Sequence, residues 1–216
     1  MIITVDGPVA AGKGTLARRL ARDLGFAHLD TGLIYRAVGA LLLQAGQAPE
    51  NAQAARRIAA NLRPEDLERG DLRREAVGHA ASVVAAHPAV RTALLDFQRN
   101  FAENPPGGRP GAVLDGRDIG TVVCPEAPVK LFVTAEVEAR ARRRHKELLD
   151  RGEESIYARV LADLRERDTR DSQRLAAPLK PAADATVLDT TEMTIEAAVR
   201  AAMEIIDRKK SARKAD

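Results

Sequence analysis

Short β-branched runs alternate along this chain with longer stretches in which apolar residues recur every three or four positions. Ile2-Ile3-Thr4-Val5, ended by Asp6-Gly7-Pro8, reads as a strand buried on both faces. From Lys13 to Leu24 the apolar positions Leu16, Ala17, Leu20 and Leu24 keep helical spacing, and Gly25 stops the helix. Phe26–Leu29 is a second short strand, leading into Asp30-Thr31-Gly32 and a helix to about Ala45. Residues 51–103 read as wholly helical, interrupted near Pro64, Gly70 and Pro88, before a turn-rich connector over 104–111. Ala112–Leu114 and Val129–Val133 are strand-like. A charged helical region runs from about Glu136 to Arg174, broken around Gly152. Thr186–Leu188 is a last strand, and Thr194–Arg208 a last amphipathic helix. Strands alternating with helices predict an α/β fold, a parallel sheet covered by helices on both faces.

Composition narrows this picture. A length of 216 residues favours one domain, and 45% hydrophobic residues can bury a core. The formal charge is +3, and residues 207–216 (DRKKSARKAD) hold five positive and two negative residues, which is the whole excess. The body is therefore balanced, and the basic end reads as a solvated tail rather than a nucleic-acid surface. Aromatic content of 3% also argues against base-stacking on single strands. Cys124, the lone cysteine, reads as a small buried hydrophobe and suits a reducing compartment. No apolar run approaches the ~20 residues of a membrane span. Met1 runs straight into a strand-like MIITVD rather than a signal segment. A cytoplasmic monomer, with no nucleic-acid or membrane partner, is the expectation.

Of the basic residues, 27 are Arg and 7 Lys. Beside 40 Ala, so much Arg suits a compositional bias, but it equally suits phosphate gripping by planar guanidinium forks. The first strand–helix junction favours the second meaning. It reads Gly7-Pro8-Val9-Ala10-Ala11-Gly12-Lys13-Gly14-Thr15. Gly at both ends of a four-residue gap lets the backbone curl into a ring of N–H donors. The following helix N-terminus adds its dipole, and Lys13 a full charge against β- and γ-phosphates. Gly14 stands between the Lys and the hydroxyl of Thr15, where the usual pattern has Ser or Thr directly after the Lys.

Three further clusters sit where strands meet helices. Asp30-Thr31-Gly32-Leu33-Ile34-Tyr35-Arg36 opens a helix at a strand's C-terminal end, the place where open α/β sheets bind ligands, although Asp30 or Thr31 would also serve as a helix cap. Asp115-Gly116-Arg117-Asp118 follows another strand, as a binding turn or a solvated one. On a helix, Arg167, Arg170, Asp171 and Arg174 share one face, as a phosphate-gripping or a salt-bridged surface.

Together these segments carry a resemblance to the bacterial cytidylate kinases (type 1 CMP kinases, P-loop nucleoside-monophosphate kinases) over nearly the whole length. It rests on DGPVAAGKGT, LDTGLIYR, ASVVAAHPAVR, LDGRDIGTVVCPEAPVKLFV, RERDTRDSQR and APLKPAADATVLDTT. The GKGT form is that of nucleoside-monophosphate kinases rather than of GTPase switches. The resemblance implies a three-layer α/β/α P-loop fold with a five-stranded parallel sheet, an acceptor-binding insert over about 47–103 and a helical lid over about 145–170. It implies ATP phosphates on Gly7–Thr15 and CMP on Thr31, Arg36, Ser82, Arg91, Asp118, Asp171 and Arg174. Ser82, Asp118 and Asp171 would read the base and the sugar. Arg36 and Arg91, joined by Arg117, would hold the acceptor phosphate. Arg140 and Arg144 would flank adenine, and Arg167, Arg170 and Arg174 would close on the transferring group. Mg²⁺ would come with ATP, with Thr15 and Asp115 as its contacts through water. The stretch 47–76 is shorter than the insert this family usually carries, and it reads as helices where a small sheet is usual. The implied reaction is phosphorylation of CMP and dCMP by ATP. The alternatives are a P-loop kinase acting on UMP, AMP or a small metabolite, and a module that binds ATP without transferring phosphate.

Overall fold

The computed structural model describes residues 1–212. Five strands, β1 (Ile2–Asp6), β2 (Ala27–Asp30), β3 (Ala112–Gly116), β4 (Val129–Thr134) and β5 (Thr186–Asp189), form one parallel sheet in the order β2-β3-β1-β4-β5. Among the described residues, eight α-helices surround it: α1 (Lys13–Leu24), α2 (Thr31–Gln44), α3 (Ala52–Ala60), α4 (Glu75–Val84), α5 (Pro88–Glu103), α6 (Val137–Asp150), α7 (Tyr157–Gln173) and α8 (Ile195–Ala212). This is the three-layer arrangement that the alternation predicts. Successive side chains of a strand point to opposite faces. Ile3 and Val5 accordingly pack with Leu16 and Leu20 of α1 and Ile206 of α8. On the other face Leu114 packs with Ile34, Val38 and Leu42 of α2 and Leu94 of α5. Cys124 belongs to that second core, and burial pushes its thiol up to about 11. Among the described residues no helix is long and apolar enough to cross a membrane.

Element boundaries differ from the sequence pattern where caps decide them. β2 begins at Ala27 rather than Phe26. The Phe26 N–H donates back to Ala21 O (2.8 Å) while Gly25 N–H donates to Arg22 O, the paired bonds that close a helix on a left-handed residue. The interruption expected near Pro88 falls between α4 and α5, and Pro88 itself starts α5, because the first helical position needs no N–H. The stretch 47–76 holds α3, a 3-10 turn (Pro64–Leu67) and the first residues of α4, and no strand among the described residues. The basic end is helical through 212, and residues 213–216 lie outside the described residues.

Because every strand runs the same way, their C-terminal ends share one edge of the sheet. Asp6, Asp30 and Gly116 all end there, which is where an open α/β sheet receives its ligand.

Candidate active site

The glycine-rich junction leaves β1 as a curled loop. Gly7 has φ 153°, and a Cβ there would fall 2.0 Å from Val133 O, so only glycine fits. Ala10 (φ 61°) and Gly12 (φ 86°) are left-handed and curl the backbone onto the start of α1. Thr190 Oγ1 donates to Ala11 O (3.0 Å) and Arg140 Nη1 to Val9 O (3.3 Å), pinning the loop from two sides. Lys13 Nζ donates to Pro8 O (3.2 Å). Burial first, then the charge of Arg117, lowers Lys13 to about 7, with Asp115 and Asp30 pulling it back up. Those two carboxylates are cross-strand partners on β2 and β3, and burial with the neighbouring Asp115 raises Asp30. Asp115 Oδ1 is held by His28 Nε2 at 2.8 Å, and its Oδ2 lies 3.5 Å from where a side chain on Gly14 would begin.

A second site opens beside this loop. Its cavity of 60 Å³ is lined by Thr31, Arg36, Ser82, Arg91, Asp118, Asp171 and Arg174, all seven residues expected to meet the acceptor, and by Arg117 and Arg167. Five arginines there face two carboxylates, so the lining favours an anion that also carries polar groups. Most of these side chains are held by protein partners. Thr31, which with Asp30 could have been only a cap, donates its hydroxyl to Asp115 O (2.8 Å). Arg36 lies along α4 and donates to Leu72 O (2.8 Å). A Cβ on Gly78 would come within 3.0 Å of its guanidinium, so any larger residue there would push the Arg36 side chain aside. Arg91 pairs with Asp118 and sits 5.8 Å from the ring centre of Tyr35, a cation–π contact that orients it. Burial raises Asp118 despite Arg91, Arg174 and Arg117 around it. Burial alone would also raise Asp171. Arg117 (Nε–Oδ2 2.8 Å), Arg167 and Arg174 outweigh it and hold the carboxyl below its usual range.

The helical region 136–174 folds as α6 and α7 around a turn at Gly152 (φ 74°). It covers a larger cleft of 270 Å³, whose walls include Val9 and Ala10 of the loop, Arg36 and Ser82 of the acceptor side, and Arg144, Arg167 and Arg170. Arg36, Ser82 and Arg167 line both cavities, so the two spaces meet at these side chains. Burial brings Arg167 down to about 10, and its Nε is buried with no protein acceptor. An orphaned donor of this kind is one an incoming oxyanion would satisfy. Arg170 Nη1 donates to Ser82 Oγ (3.0 Å). Arg174 caps α7 in an extended conformation, not on the helical face that the spacing suggested, and still reaches Asp118 at 3.5 Å.

Arg140 is placed differently from the adenine flank expected of it. Its guanidinium is buried and committed to Ala135 O, Val9 O and both oxygens of Asp168 (3.1 and 2.6 Å), so it ties the loop to α7. Arg144 pairs with Glu147 (2.9 Å) at the rim of the large cleft. The sequence reading missed Arg143, which holds Thr190 and lines a third cleft with Gly12 and Thr15. It also missed a π turn over Ile119–Val123, whose β-branched residues gave no helical signal. Among the described residues no group of three or more His, Cys, Asp or Glu is arranged to hold a metal by itself.

Known proteins resemble this chain over nearly its whole length. The cytidylate kinase family profile matches residues 3–208. A cytidylate kinase of Paramagnetospirillum magneticum is 62% identical over 97% of this chain and 99% of its own length. One of Rhodospirillum rubrum is 58% identical over 97% and 98%. These relatives are covered almost end to end. A solved structure of an uncharacterized protein from Eubacterium ventriosum shares the fold alone, with TM-score 0.56 and 12% identity over 96% of this chain and 98% of that one. The matched length and identity show that the chain belongs to the cytidylate kinase family.

Proposed function

We propose that the chain moves the γ-phosphoryl of ATP, held on Gly7–Thr15, to the phosphate of CMP or dCMP in the cavity under Asp118 and Asp171. The observation that carries this reading is the convergence of Thr31, Arg36, Ser82, Arg91, Asp118, Asp171 and Arg174 on one cavity that joins the loop's cleft at Arg167. We assign the enzyme to the cytoplasm, a reducing compartment that a lone buried Cys124 suits.

The acceptor phosphate is an anion at neutral pH, so no strong general base is required. Catalysis then consists of alignment and neutralisation of charge. Lys13 and the loop N–H groups hold the donor's phosphates. Arg36, Arg91 and Arg117 hold the acceptor's, and Arg167, with its unsatisfied Nε, sits where the two cavities join. Ser82, Asp118 and Asp171 supply the polar atoms for base and sugar. Arg144 is assigned to the donor side, and Arg140 to fixing the loop through Val9.

Mg²⁺ needs few protein oxygens when phosphates and water complete its shell. Asp115 Oδ2, beside the loop at Gly14, and the exposed Thr15 fit such a supporting role. When bound with ATP, the metal would neutralise phosphate charge.

The experiment is coupled detection of ADP. ADP formed in step with added CMP supports transfer, whereas ATP binding without CMP-dependent ADP marks a non-catalytic module and overturns the reading.

A further inference from the structure

We propose that Asp6, although it opens the phosphate-loop motif, is a positioning residue for the acceptor site. Its carboxylate makes no bond to the loop. Oδ1 accepts the N–H of Ile119 and Oδ2 that of Gly120, each at 2.8 Å. These are the first two residues of the π turn, and the residue that caps it is Asp118. Arg117 and Asp118, both on the acceptor cavity, are therefore fixed by a side chain from a strand more than a hundred residues away.

The side chain has to be a carboxylate. Two consecutive N–H donors each take a separate oxygen, and only an acceptor-only group serves both. Asn would turn its amide N–H₂ toward one of them. The packing is also tight. A Cβ on Gly120 would fall 2.8 Å from Thr4 Oγ1 and 3.3 Å from Asp6 Oδ2, so the turn lies directly on β1. The carboxylate is 5% exposed. The phosphate loop, by contrast, is held by Arg140 at Val9 and Thr190 at Ala11, neither of which touches Asp6. Loss of the carboxylate should thus shift the acceptor-reading turn and leave the donor loop in place.

The inference rests on the acceptor assignment of the cavity, so the test carries Asp118→Ala alongside Asp6→Asn. KM for CMP and for ATP, kcat and Tm are measured for both. With Asp6→Asn, KM for CMP should rise on the order of tenfold or more, because small displacements of a binding group cost that much, and KM for ATP should change far less. A KM for ATP that rises as much as that for CMP overturns the proposal. So does a lower Tm with both KM values unchanged while Asp118→Ala raises KM for CMP, since Asp6 would then be merely structural. If Asp118→Ala itself leaves KM for CMP unchanged, the acceptor assignment fails and takes the proposal with it. Should Asp6→Asn not fold, Gly120→Ala pushes the same turn off β1, because its Cβ meets Thr4 Oγ1 and Asp6 Oδ2. It should show the same CMP-selective rise, and its absence overturns the proposal.

Discussion

Arg170 of α7 donates from Nη1 to Ser82 Oγ on α4 at 3.0 Å, joining the two helices across the cleft. One residue was expected to act on the transferring phosphoryl and the other to read the nucleoside, yet they share a hydrogen bond.

That bond makes their effects interdependent. Ser82→Ala should weaken CMP binding about tenfold, the scale of one hydrogen bond to a charged partner. Arg170→Ala should mainly lower kcat. The double variant should depart from additivity, because residues in one network couple. A double-mutant cycle on kcat/KM checks this, and strict additivity would contradict a shared role.

Arg167 offers a sharper loss. Its Nε is buried without a partner, so the side chain serves the folded protein poorly and a phosphoryl oxygen well. Arg167→Ala should reduce turnover at least ~100-fold, with Tm unchanged or raised. Near-normal kcat would remove Arg167 from the reaction.

Asp171 is bound by Arg117 and lines the cavity proposed for the acceptor. Asp171→Ala should weaken CMP more than ATP in separate titrations. Equal losses would place its role in general folding.

Lys13 sets a pH dependence. Its folded value of about 7 lies below its ordinary 10.5, so between these values the unfolded chain binds the extra proton. The stability Lys13 contributes is present above about 10.5 and is lost as pH falls through about 7. Lys13→Met abolishes this term. The variant should exceed the parent in Tm at about pH 6 and lose the advantage as pH climbs past about 9, in thermal melts without nucleotide. An advantage independent of pH would contradict the burial of that charge.

Much of this site was legible before any fold was known, because phosphate binding constrains residue type and spacing together. The glycines around Lys13 and the seven residues proposed for the acceptor, which line one cavity, carry their chemistry in their identity. What escaped was geometry that periodicity does not encode. Phe26 reads as a strand residue, but its N–H is claimed by the helix cap at Ala21. The RxxxR spacing suits two guanidinia over a base, but Arg140 meets Asp168 and the loop instead. Asp6 was hidden inside a donor motif, since nothing local shows that its oxygens reach Ile119 and Gly120. The π turn was invisible for the same reason: Ile119-Gly120-Thr121-Val122-Val123 has neither helical nor alternating spacing.

Ser82, Asp118 and Asp171, all lining one cavity, are proposed to read cytosine and its sugar. Steady-state kcat/KM for CMP, dCMP, UMP and AMP, with ATP held saturating, tests this most directly. CMP and dCMP should be the preferred acceptors, with UMP and AMP at least about tenfold poorer, because a buried polar group left unpaired discriminates strongly. Equal or better turnover of UMP or AMP would contradict the account.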